Sequence, residues 1–418
     1  MQKEKKKILN DPVYGFINIP KGVSFQIIEH EYFQRLRRIK QLGLTYYVYP
    51  GAIHSRFQHT LGATHLMSTA LDTLRSKGLD ISDQEYAAAN QAILLHDIGH
   101  GPFSHSLEKT IVNGISHEDI SLELMNFFNQ KFDGELDLAI QVFQNKYYKA
   151  FLHQLVSSQL DVDRLDYLLR DSFFTGVSEG IVGSDRIIKM LNVSDNKLVV
   201  DIKGVYSIEK FLIARRLMYW QVYLHKTVIV AEQLLLKVLQ RAKELAEEGE
   251  EIFATPAFEF FLYNKIQKGD LHQKTNVNGN SVLELFTLLD DNDVLASIKV
   301  WRNHSDFILS SLSKRLIDRN FYKIELSKHK ESSGNHETLK KRILSEYKIP
   351  NEQLHYFLLT GSISNNAYSQ FDDRINILQK NKELIDIAEA SDILELSVLS
   401  KTIEKHFVAY PKGLNSQK

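Results

Sequence analysis

An apolar run over residues 87–95 ends abruptly in His96-Asp97-Ile98-Gly99-His100-Gly101-Pro102-Phe103-Ser104-His105. Apolar residues at that density predict a buried helix, and Gly99, Gly101 and Pro102 predict a bend directly after it. The helix end would carry adjacent imidazole and carboxylate groups into the interior, with the bend leaving one side open. A chain patterned this way must pack helices around a polar centre, and His96 with Asp97 can then share one divalent cation. Seven of the 16 histidines (54, 59, 65, 96, 100, 105 and 117) fall in this part of the chain. Even spreading would place roughly two or three there.

Two further segments complete the pattern. Arg56 and His59 are three residues apart, neighbours on one face of a helix expected to run to about residue 75. Downstream, residues 160–171 set apolar residues against a polar stripe in which Asp163, Tyr167 and Asp171 stand at i, i+4 and i+8, flanked by Arg164. Imidazole and carboxylate ligands with a second Asp suit Fe, Mn, Mg, Zn or Co, with positions left for water and substrate. Such a cation acidifies water for attack on phosphorus, so a metal-dependent phosphohydrolase is the first expectation. His100, His105 and His117 supply imidazoles for proton transfer, with Glu108 and Glu118 near enough in sequence to orient them. Taken singly, His59 reads as a structural histidine; the ordered set of three segments favours a metal site. His54, His65 and His153 fall outside the pattern and read as structural.

The remaining sequence bounds the setting. Among 418 residues, 51 basic side chains face 52 acidic ones, so no global field draws the protein to nucleic acid or anionic membrane. With no Cys, disulfides, thiolate metal sites and thiol nucleophiles are excluded. No apolar stretch approaches a membrane span and the basic first residues lead into no signal-type run, so a cytoplasmic protein is expected. Residues 8–28 read as turns and a small strand pair, and residues 31–241 as chiefly helical, including the spacing of Phe33, Leu36 and Ile39. A short strand is expected at 198–202, with Ser207 capping the long helix after it, and that helical half closes in a charged end at Gly249. Residues 271–280 read as loop, 321–326 as a strand and 330–336 as an exposed loop. The expected fold is mainly α, with small β elements near the N-terminus and a mixed α/β C-terminal lobe. Its expected divisions are 1–28, a strand segment with a candidate regulatory site; 29–250, the catalytic core; and 251–418, an oligomerising lobe.

At these residues the chain resembles the HD-domain phosphohydrolases, and more narrowly the dGTPase-like deoxynucleoside triphosphate triphosphohydrolases of bacteria and animals. The stretches that carry the resemblance are residues 33–43 (FQRLRRIKQLG), 46–52 (YYVYPGA), 56–59 (RFQH) and the 96–105 run. The resemblance implies an HD-domain helical core in which His59, His96, Asp97 and Asp163 ligate a divalent metal. It implies hydrolysis of a dNTP to deoxynucleoside and inorganic triphosphate by water attacking the α-phosphorus. Arg56, Arg164, Tyr167 and Arg215 would clamp the triphosphate, and His105 would protonate the departing 5′-oxygen, with His117, His100 and Glu108 alongside. Gln41 and Asp171 match the pair that binds the sugar 3′-hydroxyl, Leu42 the apolar wall at its 2′ edge, and Tyr223 the aromatic near the base. An added 2′-hydroxyl would be crowded and stripped of water against Leu42. Arg164 and Tyr219 stand where the animal enzyme has Lys and His, which bears on base preference. Asn10, Glu29, Gln34 and Arg37 fall where that enzyme binds an activating nucleotide, and the family implies a homotetramer. Two rivals remain: another HD-type hydrolase of monophosphate or cyclic nucleotides, and a non-catalytic nucleotide or single-stranded nucleic-acid binder.

Overall fold

The computed structural model describes residues 6–112, 114–329, 336–369, 373–391 and 401–414. The described residues are mainly helical, with three small sheets, in line with the periodicity. At the N-terminus, strands Lys6–Asp11 and Gly15–Pro20 form an antiparallel hairpin. Asp11 Oδ1 closes its turn by accepting from the N–H groups of Val13 and Tyr14, and Gly15 takes the positive φ of 77° that the turn demands. Ile17 and Ile19 point into the core, while Phe16 and Asn18 point outward.

The spacing of Phe33, Leu36 and Ile39 does not produce one helix. Helix Glu31–Gln34 tightens into a 3-10 turn over Arg35–Arg38, and Ile39 is extended. The change has a cause: Arg35 is buried and its guanidinium donates to the carbonyls of Ile98 (2.7 Å), His100 (3.0 Å) and Leu289 (3.4 Å). Burial, only partly offset by Asp290, lowers its pKa to about 9. The extended chain that follows puts the Gln41 N–H on His54 O.

Three helices carry the centre. Helix Asp83–Leu95 begins with a Ser82–Glu85 capping box and ends at His96. Helix Arg56–Ser76, where Gln58 Oε1 accepts the Ser55 N–H, lies between it and helix Val162–Thr175. The approach to the last is so close that a Cβ on Gly62 would lie 2.0 Å from Asp166 Oδ1 and 2.2 Å from Arg170 Nη2. Only glycine permits that packing. Asp161 caps Val162–Thr175 by accepting the Arg164 N–H, and Gly176 ends it in the left-handed conformation.

Strands Leu191–Ser194 and Lys197–Asp201 form a hairpin that is extended by Asn376–Leu378, parallel to the second strand, and by Leu384–Asp386. Helix Val205–Met218 follows, but Ser207 does not cap it: Gly204 is the N-cap. A Cβ there would meet Val200 Cγ1 at 2.6 Å, so the strand and the short turn after it deliver the chain into the helix three residues early. A π-turn over Tyr219–Tyr223 leads to the long helix Lys226–Glu247, and Gly249 turns the chain at φ 88°. In the C-terminal lobe the strand expected at 321–326 is Lys323–Ser327, at one edge of a sheet with Ile403–Tyr410 central and Leu359–Asn365 at the other edge. Of the loop expected at 330–336, residues 330–335 lie outside the described residues. One hydrophobic cluster runs from Ile17 through Leu235 to Leu414, so hairpin, helical body and lobe share a core. No helix among the described residues is long and apolar enough to cross a membrane.

Candidate active site

The three helices bring together the residues that sequence spacing singled out. His59 Nδ1 lies 2.7 Å from Asp166 Oδ2, and His96 Nδ1 lies 2.6 Å from the carbonyl of Ile93. With those nitrogens as donors, each ring presents the lone pair of Nε2, and both Nε2 atoms are buried without a hydrogen-bond partner. They face two carboxylates: His59 Nε2 is 3.0 Å from Asp163 Oδ1 and 3.8 Å from Asp97 Oδ2. His96 Nε2 is 3.4 Å from Asp97 Oδ1 and 3.5 Å from Asp163 Oδ1. Orphaned imidazole lone pairs opposite carboxylate oxygens are what a divalent cation satisfies, and His59, His96 and Asp163 lie close enough to share one.

Electrostatics point the same way. Burial opposes the charged form of His59, but Asp163 and Asp166 outweigh it and raise its pKa to about 10. Burial likewise opposes ionisation of Asp163 and Asp97. His59 and His96 nonetheless hold Asp163 well below the usual carboxylate range, and His96, His100 and Arg56 do so for Asp97. A site in which two acids stay ionised beside histidines that take up a proton has a cation-shaped deficit at its centre.

Behind His59 stands a buried relay that the sequence did not disclose. Asp166 accepts from Arg170 Nε (2.9 Å) and Nη2 (3.0 Å), and Arg170 Nη1 donates to Asp11 Oδ2 at 2.7 Å. The N-terminal hairpin is thus tied to a candidate ligand. Gly99 keeps the bend against the helix His117–Lys131, since a Cβ there would be 2.2 Å from His117 O. Phe103 adopts φ 48°, a left-handed conformation rare for an aromatic residue, as the chain enters helix Ser104–Thr110.

The ligands open onto a cleft of about 660 Å³. Arg56 Nη1 donates to Asp97 Oδ2 at 2.6 Å, and Arg164 Nη1 to Asp161 Oδ2 at 2.8 Å, while the Nε of each arginine is buried and unpaired. Tyr167 is half-buried beside them, and Gln41 and Leu42 line the same space, the buried Oε1 of Gln41 lacking a hydrogen-bond partner. Asp171 is held on both oxygens, by His54 Nε2 (2.8 Å) and by the Tyr223 hydroxyl (2.7 Å). His54, expected to be structural, therefore orients a cleft residue. His65, by contrast, packs on Tyr14, and His153 Nδ1 meets Val142 O, as structural histidines do. Arg215 is outside the cleft lining: one of its guanidinium nitrogens donates to Ala367 O at 3.2 Å, and its charge acts on the Tyr167 hydroxyl.

The proton-transfer candidates sit at one mouth. His100 Nε2 is 3.2 Å from Asp97 Oδ1, and its ring stacks on His117 at 3.8 Å. His117 contacts Glu108 through Nδ1 and Glu118 through Nε2, each at 3.1 Å. Burial, with Arg56 adding to it, depresses the pKa of His100 far below the ordinary value. His105 belongs to helix Ser104–Thr110, but its side chain lies outside the described residues. The four residues expected at a nucleotide-activator site are not among those that line the cleft. Lys7, on the strand of Asn10, pairs with Glu29 at 3.0 Å; Gln34 accepts from Arg37 at 2.7 Å, and Arg37 lies over the Phe57 ring. Cleft residues that spacing did not reveal include Lys40, Phe103, Leu224, Glu232 and Leu235.

A mainly helical body that gathers two histidines and two aspartates around one point, beside a cleft that also holds Arg56 and Arg164, fits the class of metal-dependent hydrolases. Residues 56–170 match the HD domain and residues 182–255 the HD associated region, and the chain belongs to the HD-domain phosphohydrolase family. It is 54% identical to a phosphohydrolase of Bacteroides thetaiotaomicron whose crystal structure superimposes with a TM-score of 0.92, covering 98% of this chain and 100% of that one. It is 32% identical to the Bacillus subtilis protein YwfO over 98% of this chain and 93% of the relative. The human deoxynucleoside triphosphate triphosphohydrolase SAMHD1 is 30% identical over 58% of this chain, which spans 45% of the human protein.

Proposed function

We propose that the protein is a metal-dependent deoxynucleoside triphosphate triphosphohydrolase, converting a dNTP and water to a deoxynucleoside and inorganic triphosphate. The observation that carries this reading is one cleft lined by Asp97, Asp163, Arg56, Arg164 and Tyr167, with the Nε2 atoms of His59 and His96 facing the two aspartates. A divalent metal held by the four ligands supplies Lewis acidity at the phosphoryl oxygen and acidifies water. Arg56 and Arg164 bind and orient the polyphosphate, bringing charge to a group of about four negative charges, and Tyr167 adds a hydroxyl donor. Water oxygen bonds to the α-phosphorus as the bond to the 5′-oxygen breaks, an imidazolium at His105 or His117 delivers the proton that the alkoxide needs, and the proton lost by the water restores that imidazolium. The Gln41 amide donates to the sugar 3′-hydroxyl and the Asp171 carboxylate accepts from it, with Leu42 against the 2′ edge.

Support for the substrate class comes from the resemblance to SAMHD1 over 58% of this chain. The same resemblance supports a homotetramer activated by nucleotide at Asn10, Glu29, Gln34 and Arg37. The test is product analysis: metal-loaded protein is given each dNTP singly and in pairs, and phosphates are separated by chromatography. Inorganic triphosphate is expected. Orthophosphate or pyrophosphate in its place refutes the bond assignment.

A further inference from the structure

Glu232 is a carboxylate in the candidate cleft to which neither the metal set nor the sugar-binding pair gives a role. It projects from the helix Lys226–Glu247, which packs on the turn Gly43–Tyr47 and on helix Ser104–Thr110. Leu235, one helical turn on, lines the cleft with it, as do Leu42, Phe103 and Leu224. The turn closes on Phe103, whose Cδ1 would lie 3.7 Å from a Cβ on Gly43. The carboxylate is open to the cleft yet walled by protein, and that crowding, offset by Lys109 alone, pushes its pKa up to about 7.

An acid in a cleft that must accept a polyphosphate is costly unless it faces another part of the ligand. The cations Arg56 and Arg164 stand with the metal ligands, on segments other than the one that carries Glu232. Lys109, and neither arginine, is the charge that acts on Glu232, so a polyphosphate held by Arg56 and Arg164 leaves Glu232 to another part of a bound nucleotide. Apolar and aromatic walls beside a carboxylate acceptor suit a flat heterocycle with N–H groups on its edge. Guanine offers two adjacent donors, N1–H and the exocyclic amine, which a carboxylate accepts bidentately; thymine offers one N–H between two carbonyls that repel it.

We propose that Glu232 is the base-reading residue of the cleft and selects guanine over thymine. This rests on the dNTP reading above and adds the base. The experiment compares kcat/KM for dGTP and dTTP in the metal-loaded wild type and in Glu232→Gln at pH 8, where the acid is ionised, and measures binding of inorganic triphosphate to both. Glutamine keeps the shape but presents an amide donor to guanine's donors. The expected result is a fall of about tenfold or more in the dGTP/dTTP ratio, the scale of a lost charge-assisted pair, with triphosphate affinity unchanged. An unchanged ratio overturns the assignment, and so does tighter triphosphate binding in Glu232→Gln, which would place the acid beside the phosphates. If the wild type releases triphosphate from no dNTP, the reaction itself is wrong, and the fault lies upstream of Glu232.

Discussion

Replacing Asp166 with Asn should weaken metal binding without touching a metal ligand. Asp166 and Arg170 are both fully buried, and the Asp166 carboxylate accepts from His59 Nδ1 and twice from Arg170. An amide keeps one acceptor, but it turns an N–H₂ toward either the imidazole N–H or the guanidinium, so one donor is left facing another. The His59 ring then loses what fixes its tautomer and aims Nε2 at the ion. Losing such a supporting carboxylate costs about 10- to 100-fold in metal affinity. That is about 1.4–2.8 kcal/mol. Breaking a buried ion pair costs about 3–5 kcal/mol of stability, and the low end applies because Asp11 still pairs with Arg170. Competition against a chromophoric chelator reads the affinity, and thermal unfolding of metal-free samples reads the stability. A folded Asp166→Asn protein that binds metal within twofold of wild type would refute the relay.

Three other outcomes are expected. In the metal-free protein, the raised His59 pKa gives stability that is fully present below its ordinary value of 6.5 and is lost as pH rises through about 10. Thermal melts should therefore show metal-free protein weakening between pH 6.5 and 10 relative to metal-saturated protein, and apparent metal affinity rising with pH as that proton is displaced; a flat pH profile for affinity would contradict this. For Arg164→Ala, affinity for inorganic triphosphate should drop about tenfold or more with metal content retained. Burial has raised Asp161 to about 6 even with Arg164 beside it, so the acid takes up a proton when the arginine is gone, and the helix cap survives. Loss of metal on elemental analysis would instead assign Arg164 to the fold. Leu42→Gly should reduce the preference for dGTP over GTP, and an unchanged rate ratio would remove Leu42 from sugar selection.

The candidate ligands were legible as candidates because their spacing is local. Asp163, Tyr167 and Asp171 fall on one helical stripe, Arg56 and His59 on one helix face, and the Gly-Pro bend after Asp97 announces an open helix end. Their supports were not legible, because they join distant segments: His54 to Asp171 across 117 positions and Asp11 to Arg170 across 159. No periodicity encodes such pairs. The one available signal was Gly62 within a helix, a residue that costs helical stability and so asks for a packing reason. Tertiary demands also overrode local pattern where Arg35 turned a helical repeat into a 3-10 segment and Gly204 started a helix ahead of Ser207. The parallel pairing of Val199 with Asn376 lies beyond sequence reasoning of this kind, since each strand is short and its partner lies far along the chain.

The central claim is that His59, His96, Asp97 and Asp163 hold one divalent ion. Crystals soaked in Mn²⁺ or Zn²⁺ and measured at the metal absorption edge test it most directly. The account predicts a single strong anomalous peak about 2.0–2.3 Å from both Nε2 atoms and from one oxygen of each carboxylate. A fully occupied ion bound elsewhere in the cleft, or His59 Nε2 remaining outside its coordination sphere, would contradict it.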